Sequence, residues 1–122
     1  ELALIDDRQE RVIKRYWPGK YTFVLKRKPG FNLYGVKKDT VALRIPKYKF
    51  LNDLLKKIKR PLVQTSVNIS TQKPLNKIGD ILTVFGGNKL VEVVIDAGDL
   101  KKSKPSKIIK IDKGGRNLTN SL

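Results

Sequence analysis

The sequence predicts an α/β fold in which helices flank an open sheet. Short strand-forming runs alternate with helical patterns, and residues 40–70 have the order strand, helix, strand that is typical of a βαβ unit. A cluster of hydroxyl and amide side chains follows the second of those strands. A chain of 122 residues is long enough for one domain, or part of one, with a single core.

Local signals predict the first three elements. Asp6 and Asp7 precede a helix over residues 8–16, and acids stabilise the start of a helix. The run Trp17-Pro18-Gly19 ends that helix, because a residue before proline disfavours the helical conformation and glycine permits a turn. Strands are predicted over residues 21–26 and 40–45, joined by a basic loop.

An amphipathic helix is predicted over residues 47–59. Its apolar side chains recur at spacings of three and four, so they form one stripe that is expected to lie in the core. The stripe consists of Phe50, Leu51, Leu54, Leu55 and Ile58. Further along the chain we expect a buried strand that begins at residue 61, a helix over 74–85, strands over 91–95 and 107–111, and a frayed tail over 114–122.

Thr65, Ser66, Asn68 and Ser70 form the polar cluster at the end of the strand that begins at residue 61. Open α/β sheets bind ligands at the carboxyl ends of their strands, and short hydroxyl and amide groups suit a phosphate, a ribose or an amino acid. The same residue types are common in turns, so a polar turn without a ligand is the alternative.

The net charge of +16 is the strongest compositional feature. Lys and Arg total 27 against 11 acidic residues, which predicts attraction to polyanions such as nucleic acid or nucleotides. A lysine-rich surface that only maintains solubility is the alternative. No apolar run approaches the roughly 20 residues that span a bilayer, and no signal peptide opens the sequence. We therefore expect a cytoplasmic protein without a membrane partner.

Missing residue types narrow the chemistry. The chain has no cysteine and no histidine, which excludes disulfides and makes hydrolytic triads and metal hydrolases improbable. It also lacks methionine, including an initiator, so we expect a chain that begins inside a longer gene product or has been trimmed. No glycine-rich dinucleotide or Walker motif is present. Attack on a nucleotide phosphorus is the leading class that remains, since it depends on placement and charge stabilisation.

Five motifs, in order, resemble those of one family. Residues 17–22 (Trp-Pro-Gly-Lys-Tyr-Thr) resemble its Trp-Pro-Gly-Pro-Leu-Thr motif, and residues 40–46 (Thr-Val-Ala-Leu-Arg-Ile-Pro) resemble its Thr-Val-Ala-Val-Arg-Val-Pro strand. Residues 65–70 (Thr-Ser-Val-Asn-Ile-Ser) are similar to its Thr-Ser-Ala-Asn-x-Ser signature. Residues 96–98 and 105–109 are similar to its later Asp-Gly-Gly and Pro-Ser-Thr-Val-Val segments. The chain is thereby identified as a member of the YrdC/TsaC-type threonylcarbamoyl-AMP synthases.

The resemblance implies a YrdC-like fold, a twisted open mixed sheet with flanking helices, and a nucleotidyltransferase activity. Members of the family join ATP, L-threonine and bicarbonate into threonylcarbamoyl-AMP and release pyrophosphate. ATP is expected together with Mg²⁺, and no protein-bound metal site is expected. The product serves the threonylcarbamoyl modification of tRNA, so the implied partners are RNA or tRNA and a downstream threonylcarbamoyl transferase complex.

The resemblance also implies two sets of ligands, carried over position by position, and assigns no catalytic residue. Thr40 and Asn68 would contact ATP, with Asn76 carried over more weakly. L-Threonine would be held by Arg44, Ser66 and Ser106, and a guanidinium fork suits its carboxylate. By charge, the expected RNA contacts are Arg27, Lys28, Lys37, Lys38, Lys101, Lys102 and Lys104.

Each of these roles has a structural alternative. Thr40 also fits the start of a strand, and Ser106 also fits a turn before a strand. Arg44 is harder to explain structurally, since an arginine within an apolar strand requires a buried anion.

The chain departs from the family pattern at several positions. Lys20 replaces a proline, Val67 replaces an alanine, and Thr71 stands where the family has glycine. The family's upstream half, which carries a Lys-x-Arg pair for the triphosphate, has no counterpart here, so a partial domain over residues 1–122 is expected. A basic RNA-binding module of the same fold without catalysis is the alternative. A third candidate is the YrdC-like domain of the hydrogenase-maturation carbamoyltransferase, whose zinc-finger cysteines this chain lacks.

Overall fold

The computed structural model describes residues 2–30, 36–116 and 119. The chain forms two compact units, which are described separately: unit 1 comprises residues 1–61 and 105–122, and unit 2 comprises residues 62–104. The described residues contain one four-stranded sheet with parallel and antiparallel pairs, and three helices. The predicted class, an open mixed sheet with helices, is therefore confirmed.

The strand β2 (Tyr21–Arg27) lies at the centre of the sheet in unit 1. It pairs antiparallel with β3 (Thr40–Leu43) along one edge. Since a strand has only two edges, β1 (Ala3–Leu4, antiparallel) and β4 (Lys107–Lys110, parallel) share the other edge, β4 beside the start of β2 and β1 beside its end. The three longer strands were predicted from their residues, whereas β1 was missed because two residues carry no periodic signal.

The helix α1 (Asp7–Tyr16) begins with the acids that predicted it. The backbone N–H of Gln9 donates to the Asp6 carboxylate (2.8 Å), and the backbone N–H of Asp6 donates to the Gln9 side chain (3.1 Å). This reciprocal arrangement is a capping box, which satisfies backbone donors at the helix start. Trp17 leaves the helical conformation before the cis peptide bond to Pro18, so the helix ends where the sequence predicts.

The core of unit 1 lies between α1 and one face of the sheet. Phe23 has no exposed surface, and the Trp17 ring packs edge-on against it with centroids 5.4 Å apart. Aromatic rings favour this arrangement, since the positive edge of one ring meets the negative face of the other. The buried cluster consists of Ile13, Phe23, Leu25, Ile109 and Ile111.

The helix α2 (Lys49–Ile58) forms where it is predicted, but the expectation that its apolar stripe lies in the core is wrong. No residue of this fully described helix is buried, and Phe50 retains 45% of its surface. A periodic stripe shows which face a helix can bury, but burial also requires a second apolar surface. None of the described residues covers the α2 stripe completely.

Unit 2 contains the helix α3 (Ile78–Phe85), which begins later than the predicted residue 74. The predicted strands that begin at residue 61 and span 91–95 are wrong, and so is the predicted βαβ unit, because residues 61–104 are all described and contain no strand. A strand requires a hydrogen-bonded neighbour, which apolar composition cannot supply. Val63 and Val93 accordingly remain 71% and 76% exposed.

The segment after β4 is held against the start of α1. The Gly114 N–H donates to the Asp6 carboxylate (3.1 Å), and Arg116 forms an ion pair with Asp112 (2.9 Å). The expectation of a frayed tail is therefore wrong for residues 114–116. Most of the later tail and residues 31–35 of the basic loop lie outside the described residues. No helix within the described ranges has the length and apolarity needed to cross a bilayer.

Candidate functional site

The face of the unit 1 sheet that points away from α1 carries two of the predicted ligands. Val41 and Leu43 pack on the core side of β3. Because side chains alternate along a strand, Thr40 and Arg44 lie on the opposite face. Thr40 is half-buried and Arg44 is exposed. The predicted ATP ligand and the predicted threonine ligand therefore share one face, about 13 Å apart along the strand at roughly 3.3 Å per residue.

Arg44 is fixed to the turn between α1 and β2. Its Nε donates to the Gly19 carbonyl oxygen (3.1 Å), and the Gly19 N–H donates to the Ile45 carbonyl oxygen (2.8 Å). A Cβ atom at Gly19 would lie 2.5 Å from the Tyr16 carbonyl oxygen, so only glycine allows this close approach. Arg44 is exposed, which corrects the expectation that it requires a buried anion.

The two terminal Nη groups of Arg44 make no hydrogen bond to any of the described residues. The guanidinium is therefore anchored through Nε and can use its outer edge for a ligand. That edge presents two parallel N–H donors, the geometry that binds both oxygens of a carboxylate.

Ser106 lies immediately before β4 and contacts the start of β2. Its Oγ lies 2.7 Å from the Thr22 Oγ1, and the next residue, Lys107, donates its backbone N–H to the Lys20 carbonyl oxygen (2.9 Å). The register of β2 and β3, continued by one residue, places Thr22 opposite Arg44. Arg44 and Ser106 therefore flank Thr22 on its two sides.

The polar cluster of unit 2 is a hydrogen-bonded loop. The Ser66 hydroxyl donates to the Asn68 side-chain oxygen, and the Asn68 amide donates to the carbonyl oxygens of Ile69 (2.9 Å) and Gln72 (3.1 Å). Both N–H donors of Asn68 are thus used within the loop, whereas its side-chain oxygen retains one lone pair. Its predicted contact with ATP would use that lone pair, or would require a donated bond to be shared or exchanged.

Backbone contacts close the same loop. The Leu75 N–H donates to the Val67 carbonyl oxygen (2.8 Å), and between them Thr71 has φ of 72°. This left-handed conformation favours glycine, the residue that the family resemblance leads one to expect there, and it strains a β-branched side chain. Thr71 therefore holds this backbone conformation at an energetic cost.

Asn76, the weaker of the predicted ATP ligands, connects two segments of unit 2. Its side-chain amide donates to the Leu100 carbonyl oxygen (2.6 Å), and the Leu100 N–H donates to the Asn76 carbonyl oxygen (2.8 Å). Nearby, the Asp99 carboxylate accepts from the Ile78 N–H (3.0 Å) at the start of α3. These pairings join residues more than 20 positions apart, which explains why local patterns did not predict them.

The structure thus groups the predicted ligands into two sets. Thr40, Arg44 and Ser106 belong to unit 1, whereas Ser66, Asn68 and Asn76 belong to unit 2. Sequence reasoning missed the contact between Thr22 and Ser106. The available signal was the position of Thr22 beside Phe23 in a strand with two-residue periodicity, which places it on the face opposite the core.

Other charged groups lie apart from these sets. Within the described residues no three His, Cys, Asp or Glu side chains are placed to hold a metal ion. A cavity at the start of α1 contains none of the predicted ligands; it is lined by Asp6, Asp7, Arg8, Lys113 and Gly114. The Gln9 N–H, by donating to Asp6, lowers the pKa of that carboxyl below its ordinary value, and Lys14 lowers the pKa of Glu10.

The basic residues expected to contact RNA are divided between the units. Arg27 is half-buried, and its Nε is buried without a hydrogen-bond partner among the described residues. The other six are exposed: Lys28, Lys37 and Lys38 in unit 1, and Lys101, Lys102 and Lys104 in unit 2.

Comparisons with known proteins agree with this fold. The Sua5/YciO/YrdC family model, described as telomere recombination, matches residues 1–120. Two Sua5 structures from Pyrococcus abyssi are similar. A doubly substituted form has a TM-score of 0.75 and 30% identity, and the match covers 89% of this chain and 33% of that one. A complex with L-threonine has a TM-score of 0.73 and 29% identity, and the match covers 90% of this chain and 32% of that one. The fold is therefore YrdC-like, and the chain belongs to the Sua5/YciO/YrdC family.

Curated relatives carry a consistent name. A Methanocaldococcus jannaschii protein, provisionally named threonylcarbamoyl-AMP synthase, is 37% identical over 90% of this chain and 50% of its own length. Two proteins named threonylcarbamoyl-AMP synthase are also similar. The one from Psychromonas ingrahamii is 26% identical over 95% of this chain and 61% of its own length. The one from Pyrococcus abyssi is 30% identical over 88% of this chain and 31% of its own length. The chain thus spans between about one third and three fifths of the relatives it matches.

Proposed function

We propose that this chain is the threonine-binding part of a threonylcarbamoyl-AMP synthase. In the reaction, the threonine amine forms a bond to the carbon of bicarbonate with loss of water. An oxygen of the resulting carbamate then attacks the α-phosphorus of ATP and expels pyrophosphate. The family, the relatives' names and the likeness to a Sua5 complex with L-threonine support this function.

The arrangement of Arg44 and Ser106 around Thr22 is the observation that carries the proposal. The free edge of the Arg44 guanidinium suits the substrate carboxylate, and the Ser106 hydroxyl lies on the other side of Thr22. Arg44 is fixed to the turn before β2 and Ser106 to the start of β2, so we propose that they act together on one small molecule. Ser66, in unit 2, stays a predicted threonine ligand on the strength of its motif alone.

The nucleotide would be bound by neutral groups of this chain. Thr40 offers a hydroxyl, and Asn68 and Asn76 offer amides, while Mg²⁺ would accompany the ATP phosphates as part of the substrate. Arg44 is the only cation among the six proposed ligands, although adenylyl transfer requires neutralisation of a triphosphate and of the charge at its phosphorus. We therefore propose that residues 1–122 form a partial domain and make no product alone.

Pyrophosphate release tests this function. The assay compares the chain alone with a chimera in which the chain replaces the matching half of the M. jannaschii relative. We expect release from the chimera that requires ATP, L-threonine and bicarbonate together, and none from the chain alone. Release that does not depend on threonine would contradict the function. Full activity of the chain alone would support the function but contradict the partial domain.

We further propose that the product passes to a threonylcarbamoyl transferase complex that modifies tRNA in the cytoplasm. The charge of +16 and the exposed lysines of both units support contact with RNA phosphates. A chimera that retains tRNA but never releases pyrophosphate would favour the alternative, a basic RNA-binding module without catalysis.

A further inference from the structure

The start of β2 and the turn before it contact both of the proposed threonine-binding residues of unit 1. Gly19 accepts the hydrogen bond from Arg44, and Lys20 accepts the backbone bond from Lys107. On the sheet face opposite the core, Thr22 contacts Ser106 side chain to side chain. The backbone of this turn therefore positions the segments that carry Arg44 and Ser106. Only Thr22 contacts one of these two residues through its own side chain.

The contact between Thr22 and Ser106 restricts a hydroxyl that would otherwise rotate. Their oxygens lie 2.7 Å apart, the usual separation of an O–H···O hydrogen bond. Threonine is β-branched, so its χ1 angle is restricted and its hydroxyl is a stiff reference point. Serine has no such restriction, and the bond to Thr22 fixes its rotamer.

The same bond leaves Ser106 with a defined capacity for a ligand. If Ser106 donates to Thr22, its oxygen retains a lone pair for the substrate ammonium or hydroxyl group. If Thr22 donates, the Ser106 proton is free for a carboxylate oxygen. Arg44 follows β3 and Ser106 precedes β4, on the two sides of β2, so their backbones are at least about 10 Å apart at two strand spacings. An amino acid together with the long arginine side chain can bridge that distance.

We propose that Thr22 is a positioning residue for L-threonine recognition, acting by holding the Ser106 hydroxyl. This inference rests on the proposed function and deepens it, because it assigns part of the amino-acid specificity to a residue of β2. Thr22 lies on the face opposite Phe23, so its side chain can be changed without altering the core cluster.

Calorimetric titration of the 122-residue chain with L-threonine, and separately with ATP, tests the inference. Thr22→Val keeps the shape but removes the hydroxyl, and we expect threonine affinity to fall roughly three- to tenfold, the effect of one lost hydrogen bond. ATP affinity should change less than about twofold. Thr22→Ser should restore most of the threonine affinity. Thr83→Val is the matched control, since that hydroxyl contacts only the Gly79 carbonyl of α3 among the described residues.

A double-substitution cycle distinguishes positioning from a general structural effect. In a Ser106→Ala background, Thr22→Val should cause no further loss of threonine affinity, because its target is already absent. Thr22→Ala provides a second variant with the same expectation if the valine lowers the melting temperature.

Each outcome is informative. Unchanged affinity in Thr22→Val, independent losses with Ser106→Ala, equal loss of ATP binding, or failure of Thr22→Ser to rescue would overturn the inference alone. Absence of threonine binding by the unsubstituted chain would overturn the proposed function and, with it, the inference.

Discussion

Asn68 organises the polar loop of unit 2, and Asn68→Asp tests that role with minimal change of shape. The substitution keeps the acceptor for the Ser66 hydroxyl but removes both donated bonds, to Ile69 and Gln72. It also sets a carboxylate against two carbonyl oxygens. Two hydrogen bonds at about 0.5–1.5 kcal/mol each amount to roughly 1–3 kcal/mol of loop stability.

Native-state hydrogen exchange measures this loss directly. The Leu75 amide, which donates to the Val67 carbonyl and closes the loop, should exchange about 5- to 100-fold faster in Asn68→Asp. Amides of β2 should keep their rates. The matched control is Asn88→Asp, since Asn88 uses its side chain only as an acceptor, from the Leu90 N–H, among the described residues.

Two results would refute the reasoning about the loop. One is a Leu75 exchange rate in Asn68→Asp equal to that in Asn88→Asp, which would mean that the two donated bonds contribute nothing to loop closure. The other is an equal acceleration in β2, which would indicate global destabilisation rather than local opening.

Three further predictions concern charge. Arg44→Lys keeps the charge but loses the planar fork, so calorimetry should show that threonine affinity falls about tenfold and that ATP affinity changes less. A larger loss of ATP affinity than of threonine affinity would assign Arg44 to ATP instead. The Gln9 N–H lowers the pKa of Asp6 below its ordinary value, so the stabilisation is present at a pH above that value and is lost as the pH falls through the lowered pKa. Asp6→Asn keeps a capping side chain without the titration, so its melting temperature should fall less in acid; identical acid profiles would argue against this role. If about five phosphates are neutralised, tRNA affinity should fall with a log–log salt slope of roughly −4 to −5 by the duplex DNA rule, and a flat dependence would leave the charge as a solubility feature.

Elements with complete local signals were predictable from the sequence. The helix α1 carries its own capping box at Asp6, and a proline terminates it. The strand β2 shows the two-residue alternation that separates Phe23 from Thr22. In each case the determining interactions lie within a few residues of one another.

The wrong predictions involved surfaces that other segments must supply. The run from residue 61 has the composition of a strand, but within residues 61–104 no neighbour forms a ladder with it. The α2 stripe has the correct period, yet it remains partly exposed, because periodicity does not specify what packs against it. Composition indicates what a segment could bury, whereas the partner decides whether it does.

The predictions for the candidate site also divide into a local part and a part that depends on distant segments. Arg44 and Ser106 were selected from motifs that match a known family, but the contact between Ser106 and Thr22 joins residues 84 positions apart. The Asn76 contact with Leu100 is likewise non-local. Residue identity therefore supplied the candidate side chains, while their grouping required the fold.

The central claim is that the face of the unit 1 sheet that points away from α1 binds the amino acid. Chemical-shift mapping of the chain with L-threonine tests this claim most directly. We predict saturable shifts at the backbone amides of Arg44, Ser106 and Thr22. These shifts should require higher ligand concentrations in Arg44→Lys, and L-valine, which lacks the hydroxyl, should bind more weakly. Saturable shifts that spare all three residues, or no shifts at any threonine concentration, would contradict the account.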